Sequence, residues 1–466
     1  MCDFPGRRWL SWALLLPLAV PAYIIAYTYT GLLDFAGPVQ TWIRDITGLG
    51  YGDYWFFEIR SLGGAIVMMS LVLYPYVYLM ARAAFLEQSV SSIEVGCSLG
   101  YSRWRALWSL ALPMARPAIV AGLSLALMET LADYGTVQYF GVSTFTTGIF
   151  RTFYGYGDTA AAAQLAASLL AFVILLVMLE RYSRRRARYH SAAESRARAD
   201  LIPLTGSKAF LALMICLVPL GFGFVIPAGQ LLWWAVFEAE PLGWEFVNLA
   251  WNSFCLAFLA ALVAVTLAIL LAYAQRARPI KPVRGVLAMS GFGYALPGTI
   301  IAIGVLIPLA WIDHRIIALF EGWGWDSPGL ILSGSLIALL FAYTVRFLAV
   351  ALGSVQAGLE KIKPSLDYAG RSMGHSPLAI LRKIHVPLMR SSVLTAVLIV
   401  FVDVLKELPA TLILRPFNFN TMAVRAYELA SDERLVDAAP ASIMIVLVGL
   451  IPVLLLHTSI ARRRPQ

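Results

Sequence analysis

Long apolar segments constrain this chain more than any other feature of its sequence. A helix needs about 20 mostly apolar residues to cross the hydrocarbon layer of a bilayer, and runs of this length recur along the 466 residues. Only 14% of the residues are charged, against roughly 25% in soluble domains. The sequence therefore predicts an all-α, polytopic membrane protein and excludes a soluble enzyme. We predict about ten spans, at residues 11–33, 62–81, 115–136, 160–180, 209–236, 250–275, 285–311, 329–352, 391–412 and 438–460.

Lysine and arginine are distributed unevenly among the segments between these spans. Cytoplasmic loops of membrane proteins carry an excess of both residues. With the N-terminus inside, 27 of the 36 Lys and Arg residues fall in inside segments and seven in outside segments. Arg346 and Lys406 lie within spans. The asymmetry predicts a multi-pass membrane protein with both termini in the cytoplasm, and it explains the net charge of +9 without a nucleic-acid partner.

The two halves of the chain repeat each other, as is common in transporters. An offset of 274 residues aligns a continuous set of features in the same order and orientation, which predicts parallel repeats. Residues 1–182 form the first repeat, residues 183–207 a cytoplasmic basic linker, and residues 208–466 the second repeat. The aligned pairs include Gly100 with Gly374, Pro113 with Pro387, Glu129 with Asp403, Asp133 with Glu407, and Arg151 with Arg425.

The first repeat is shorter than the second at its N-terminal end. Further upstream the offset is 276 residues, and it aligns Arg8 with Arg284. Two spans precede Arg284 in the second repeat, whereas seven residues precede Arg8 in the first. We therefore expect that the first repeat lacks its first two helices, and that the chain is N-terminally truncated or its true start lies upstream.

One cytoplasmic loop recurs in both repeats, from Ser91 to Ile119 and from Ser365 to Val393. Each copy has an acidic start, small residues, a glycine at the same place, an amphipathic stretch, and then Leu-Pro or Val-Pro. This pattern predicts two short helices joined by a glycine corner, since glycine tolerates a positive φ. A proline in the first turn of the next helix would cost no hydrogen bond.

These loops resemble the EAA coupling loop of binding-protein-dependent ABC importer permeases, which reads Glu-Ala-Ala-x-x-x-Gly and continues to Leu-Pro. Both copies depart from the family pattern at the alanines, and Tyr368 stands where the second copy would have its glutamate. The matching residues are Glu94, Gly96, Gly100 and Pro113 in the first copy, and Asp367, Ala369, Gly370, Gly374 and Pro387 in the second.

The resemblance implies a location in the inner membrane, a type I importer permease fold and a division of labour between chains. In the family the coupling loops dock on two cytoplasmic ABC ATPase subunits, and an extracytoplasmic solute-binding protein delivers the substrate. No G-x-x-x-x-G-K-[ST] phosphate loop occurs in the sequence. We therefore expect a transport subunit that is not an enzyme, binds no cofactor of its own, and relies on separate ATPase chains.

From Glu129 to Gly155 in the first repeat and from Asp403 to Ser442 in the second, the chain looks like the fused permeases of ferric-iron importers. The same broader group includes transporters of thiamine, polyamines and phosphonates, which remain alternatives. An ion-coupled secondary transporter also uses repeats and intramembrane acids, but it has no need of paired coupling loops.

Acidic residues interrupt two predicted spans. Carboxylates in a membrane span usually face a cavity or a partner, and members of a pair four residues apart share a helix face. Three interpretations stay open: a cation path, a surface that receives the binding protein, and a structural role, for example a pair between Asp403 and Lys406. The residues concerned are Glu129, Asp133 and Tyr134 in the first repeat and Asp403 and Glu407 in the second.

Cysteine and histidine give no sign of a resident metal. The four cysteines are far apart, and the five histidines form no ligand spacing. We predict no metal ligands, which suits a transporter because it has to release its cargo.

Overall fold

The computed structural model describes residues 2–50, 52–87, 96–185, 202–278 and 280–462. Their regular structure is helical except for one parallel pair of two-residue strands, β1 (Cys2–Asp3) and β2 (Ile202–Pro203). The helices are α1 (Arg7–Ala13), α2 (Ala22–Leu33), α3 (Pro38–Thr47), α4 (Leu62–Glu87), α5 (Arg103–Ala106), α6 (Leu112–Ala132), α7 (Gly135–Tyr139), α8 (Phe145–Phe150), α9 (Thr159–Arg185), α10 (Gly206–Leu220), α11 (Ile226–Trp233), α12 (Trp244–Ala277), α13 (Lys281–Ser290), α14 (Gly298–Gly322), α15 (Leu336–Leu359), α16 (Pro364–Ser372), α17 (Pro377–Ile380), α18 (Val386–Leu388), α19 (Arg390–Leu405), α20 (Pro409–Leu414), α21 (Met422–Ser431) and α22 (Leu435–Arg462).

The predicted all-α membrane fold is confirmed. Within the described residues, eight helices are long and apolar enough to cross a membrane, and two bent helix pairs raise the number to ten if each pair is one span. One pair joins Arg7–Ala19 to Ala22–Thr47 at 91°, and the other joins Pro377–Leu388 to Arg390–Leu405 at 79°. The first predicted span is therefore broken rather than straight. The second bend lies just before the ninth predicted span, which is itself interrupted between the end of α19 at Leu405 and the start of α20 at Pro409.

Prolines and glycines explain where the span boundaries were misplaced. The first span breaks because Pro21 cannot continue the 3₁₀ turn Leu16–Ala19, and α2 starts after it. The seventh span was predicted to start at residue 285, which is wrong. Residues up to Ser290 form the separate helix α13, a 3₁₀ turn follows at Gly293–Ala295, and the span starts at Gly298 after Pro297.

By its internal contacts the chain forms two compact units. The first comprises Met1–Leu131, Tyr139–Val142 and Ala171–Leu231. In it, α10 packs against α1, with Leu220 buried beside Leu10 and Ala13. The helix that follows the basic linker thus belongs with the chain's first helix, although the predicted repeat boundary separates them. The repeat division itself is a statement about sequence and stays a prediction.

The second unit comprises Ala132–Gln138, Ser143–Leu170 and Leu232–Gln466. Its centre is a bundle in which α12, α15 and α19 pack against one another. Small residues let their backbones approach closely, as is usual for membrane helices. On α12 the fully buried stripe consists of Ala257, Ala260, Ala261, Ala264 and Ala268.

Candidate functional site

The two coupling loops make the same glycine turn. Gly100 and Gly374 both have left-handed backbone conformations, with φ of 85° and 75°. In the first loop Tyr101 N–H donates to Gly96 O at 3.0 Å, and in the second His375 N–H donates to Gly370 O at 3.1 Å. This pattern is a helix C-cap that requires a residue free to adopt positive φ. The predicted helix–glycine–helix corner is therefore present in both loops.

A second glycine in each loop lies where two helices come closest. A Cβ added at Gly96 would lie 2.8 Å from Leu110 Cδ1, and one added at Gly370 would lie 2.9 Å from Ile380 Cγ1. Ala106 and Ile380, which are aligned in the repeat, lie opposite these two glycines. The small residues of the motif thus set how closely the two helices of each loop pack.

A widened helical turn precedes the proline of each loop. These π turns span Leu107–Ala111 and Leu381–His385, and they are aligned in the repeat. A proline ring clashes with the carbonyl of the preceding turn, and the wider turn makes room for it. As expected, Pro113 and Pro387 are each the second residue of a helix, α6 and α18, and the π turn runs directly into that helix. The first helix then continues to Ala132, whereas the second bends after Leu388.

The acidic starts of the loops were expected to share one role. Glu94 lies outside the described residues. The Asp367 side chain is 14% exposed and points towards Arg276 and His385, not into solvent. Tyr368, by contrast, is 67% exposed, and Ala369 is also exposed.

Asp133 and Glu407, which are aligned in the repeat, both cap a short helix. Asp133 Oδ1 accepts hydrogen bonds from Thr136 N–H at 3.0 Å and Val137 N–H at 3.2 Å, at the start of α7. Glu407 Oε1 accepts from Ala410 N–H and Oε2 from Thr411 N–H, both at 3.0 Å, at the start of α20. A carboxylate suits this place because it satisfies N–H groups that lack a helical partner. These contacts favour the structural interpretation for both acids.

Glu407 also forms a buried ion pair that sequence reasoning missed. Arg346 Nη1 of α15 lies 3.2 Å from Glu407 Oε1, and the two side chains are 10% and 2% exposed. A Cβ added at Gly298 would collide with both groups. An arginine in the middle of an apolar run was the available signal, since such a charge needs a partner. Val72 stands at the aligned position of the first repeat.

The remaining acids of the predicted site differ in their surroundings. Asp403 Oδ1 lies 2.9 Å from Lys406 Nζ, which is the pairing considered from the sequence. Glu129 is half-buried on α6. Tyr134 is buried, and its ring stacks on Phe150 with 3.7 Å between centroids. Among the described residues there is no group of three or more Cys, His, Asp or Glu side chains that could hold a metal ion.

The sequence matches known transport proteins. Residues 3–189 match the family described as the binding-protein-dependent transport system inner membrane component. The chain is 27% identical over 463 residues to the Fe(3+)-transport system permease protein FbpB 2 of Haemophilus influenzae, covering 97% of this chain and 83% of that protein.

Two further relatives differ in coverage. The ferric transport system permease protein FbpB of Actinobacillus pleuropneumoniae is 22% identical over 93% of this chain, which spans 63% of that protein's length. The molybdenum transport system permease protein ModB of Escherichia coli is 26% identical over 40% of this chain and 82% of its own length. The likeness to permeases with ferric names extends over nearly the whole chain, whereas the likeness to the molybdenum permease is partial.

Proposed function

Because this chain belongs to the binding-protein-dependent family of ABC importer permeases, we propose that it carries ferric iron across the inner membrane. The observation that carries the proposal is the match over 97% of the chain to a permease named for Fe(3+) transport. The chain is a multi-pass transport subunit and not an enzyme. Iron in this proposal is cargo, which fits a protein that has to release what it binds.

The partners follow from the family's mode of action. Such permeases work with ATPase and solute-binding proteins, and we propose two ATPase subunits on the cytoplasmic side and a binding protein on the other. ATP is then hydrolysed outside this chain, which binds no cofactor of its own. The two glycine turns, at Gly100 and Gly374, support the assignment of the ATPase-docking loops because they present the same backbone geometry twice.

The orientation of the chain is part of the proposal. Both termini and the basic linker lie in the cytoplasm, in agreement with the excess of Lys and Arg in the segments assigned to that side. The coupling loops then face the ATPase subunits, and the segments after α7 and α20 face the binding protein.

The permeation route also remains a proposal. The capping roles of Asp133 and Glu407 leave Glu129 and Asp403 as the more available acids of the predicted set, although Asp403 is paired with Lys406. Carboxylate oxygens are hard ligands that suit a small, highly charged cation. We propose that these acids guide iron transiently.

Reconstitution tests the substrate directly. The chain, its ATPase subunits and its binding protein would be incorporated into proteoliposomes, and uptake of radioactive ferric iron and of molybdate would be measured with and without ATP. ATP-dependent uptake of iron that an excess of molybdate does not reduce is the expected result. Uptake of molybdate without uptake of iron would contradict the proposal. It would indicate instead that the chain transports molybdate, in line with its partial similarity to the molybdenum permease.

A further inference from the structure

The cytoplasmic end of α12 carries two side chains that reach the second coupling loop. Tyr273 and Arg276 are three residues apart and therefore lie on the same face of the last turns of this helix. Tyr273 is buried and Arg276 is half-buried. Both side chains donate hydrogen bonds to residues outside α12, so polar contacts connect this helix end to its neighbours.

Arg276 joins three elements at once. Its Nη1 donates to Leu359 O at 2.6 Å, at the end of α15, and its Nη2 donates to Ile362 O at 2.8 Å. Its Nε donates to Asp367 Oδ2 at 2.9 Å, in the first helix of the coupling loop. All three nitrogens of the guanidinium group are used, and the planar fork fixes their directions.

Asp367 and Tyr273 extend the contacts to the second helix of the loop. His385, which is fully buried, places Nε2 2.8 Å from Asp367 Oδ1. Tyr273 O–H donates to Pro377 O at 2.8 Å, at the start of α17, and its ring centroid lies 5.3 Å from that of His385. The end of α12 is thus bonded to both helices of the coupling loop, with Asp367 between them.

We infer that Tyr273, Arg276, Asp367 and His385 form a joint that makes the second coupling loop and the cytoplasmic end of α12 move as one rigid body. The inference rests on the proposed function of the loop as the ATPase contact. Asp367 is then a positioning residue within the permease and does not itself contact the ATPase. The exposed residues of α16, such as Tyr368, are left for that contact.

The first coupling loop has a different construction. Ile93 and Ala111 stand at the positions aligned with Asp367 and His385, so neither the acid nor the imidazole is present there. The two loops share their glycine turns but not this joint. The second loop is therefore the one whose displacement is transmitted through polar contacts to α12.

The test compares variants of the joint in the complete complex with ATPase subunits and binding protein. Arg276→Ala and Asp367→Asn remove the central contacts, and Tyr273→Phe removes one hydroxyl with little effect on folding. Arg278→Ala is the matched control, because this exposed arginine lies two residues away. We expect the ATP hydrolysed per iron transported to rise about tenfold in the Arg276 and Asp367 variants, less in Tyr273→Phe, and not in the control.

A second measurement separates a joint from general destabilisation. Spin labels at positions 278 and 383, on a background without native cysteines, report the distance between the end of α12 and the coupling loop. In the parent complex this distance should stay the same when ATP is trapped, and in Asp367→Asn it should change. Arg276→Lys retains the charge but not the fork, so it should behave like the alanine variant.

The outcomes distinguish the two proposals. Two results would overturn the joint. The first is a 278–383 distance that changes in the parent complex when ATP is trapped. The second is that the Arg276 and Asp367 variants hydrolyse as much ATP per iron transported as the parent does. A parent complex that hydrolyses ATP without moving iron contradicts the proposed substrate. In that case the label distances still test the joint, since trapping ATP does not require iron.

Discussion

Replacing Gly374 tests why the coupling loop needs a glycine at this position. The reason could be the left-handed backbone of the turn or a lack of space for a side chain. Gly374 has φ of 75°, and no atom lies within 4 Å of the place where a Cβ would stand. An added Cβ would therefore meet no neighbour. We attribute the expected loss of function to the cost of a left-handed backbone for a residue that carries a Cβ.

The size of that cost can be worked out from the conformation. A left-handed backbone costs an L-residue roughly 1–2 kcal/mol, which corresponds to a factor of about 5–30 in an equilibrium. Asparagine adopts this region more readily than other residues, and a β-branched residue is least suited to it. We therefore expect coupling of ATP hydrolysis to transport to fall in the order Gly374, Asn, Ala, Val.

The assay is ATP-driven uptake in proteoliposomes, with ATP hydrolysis measured in parallel and assembly with the ATPase checked first. The same series at Gly100 should reproduce the order, because its φ is 85° and its surroundings are equally open. The double valine variant should be the most impaired. Parent-level coupling in the double valine variant, or asparagine as damaging as valine, would refute the reasoning from backbone conformation.

Three further predictions concern packing, the buried ion pair and orientation. Gly370→Ala should impair coupling through overpacking against Ile380, at about 1–3 kcal/mol, and Ile380→Ala should restore it; failure of this rescue in uptake assays would contradict the contact. Glu407→Gln should lower the thermal unfolding midpoint in detergent, because breaking a buried pair costs about 3–5 kcal/mol, whereas Asp403→Asn should change it little; equal effects would contradict the difference in burial. A single cysteine in the basic linker should react with impermeant thiol reagents only after the cell is opened, and labelling of intact cells would overturn the orientation.

The fold could be predicted from sequence where one physical requirement dominates. Hydrocarbon thickness sets the length of a span, so the apolar runs identified the membrane helices. The breaks were harder to place, because local backbone chemistry decides them. Pro21 and Pro297 each follow a 3₁₀ turn and precede a helix. Because proline hardly changes the hydropathy of an apolar run, the sequence predicts one continuous span where the structure has a break.

The coupling loops were predictable for a similar reason. A glycine that needs positive φ is visible in the sequence when it recurs at the same place in two repeats. The direction of a side chain is not visible in this way. Asp367 was predicted to belong to the ATPase-coupling residues of its loop, yet it lies against Arg276 and His385. Arg276 is distant in the sequence, and only the folded structure brings it to Asp367.

Asp133 and Glu407, which the repeat alignment pairs, make similar helix-capping contacts, but their alignment did not settle their role. Two carboxylates four residues apart lie on one face of a helix. This spacing is compatible with an ion path and also with a helix cap, because either role requires carboxylate oxygens at a helix end. The hydrogen bonds of Asp133 and Glu407 favour the cap because they use backbone N–H groups that would otherwise lack partners.

Comparison of the two repeats separates backbone features from side-chain chemistry. Both repeats keep the positive-φ glycine, the glycine at the close approach, the π turn and the capping acid. Only the second has the Arg346–Glu407 pair and the joint around Asp367, where the first has Val72, Ile93 and Ala111. Because the first loop has Ile93 and Ala111 at the positions of Asp367 and His385, it cannot form the same contacts with these side chains. We therefore expect the two coupling loops to transmit ATPase closure through different contacts, with the second loop bonded directly to α12.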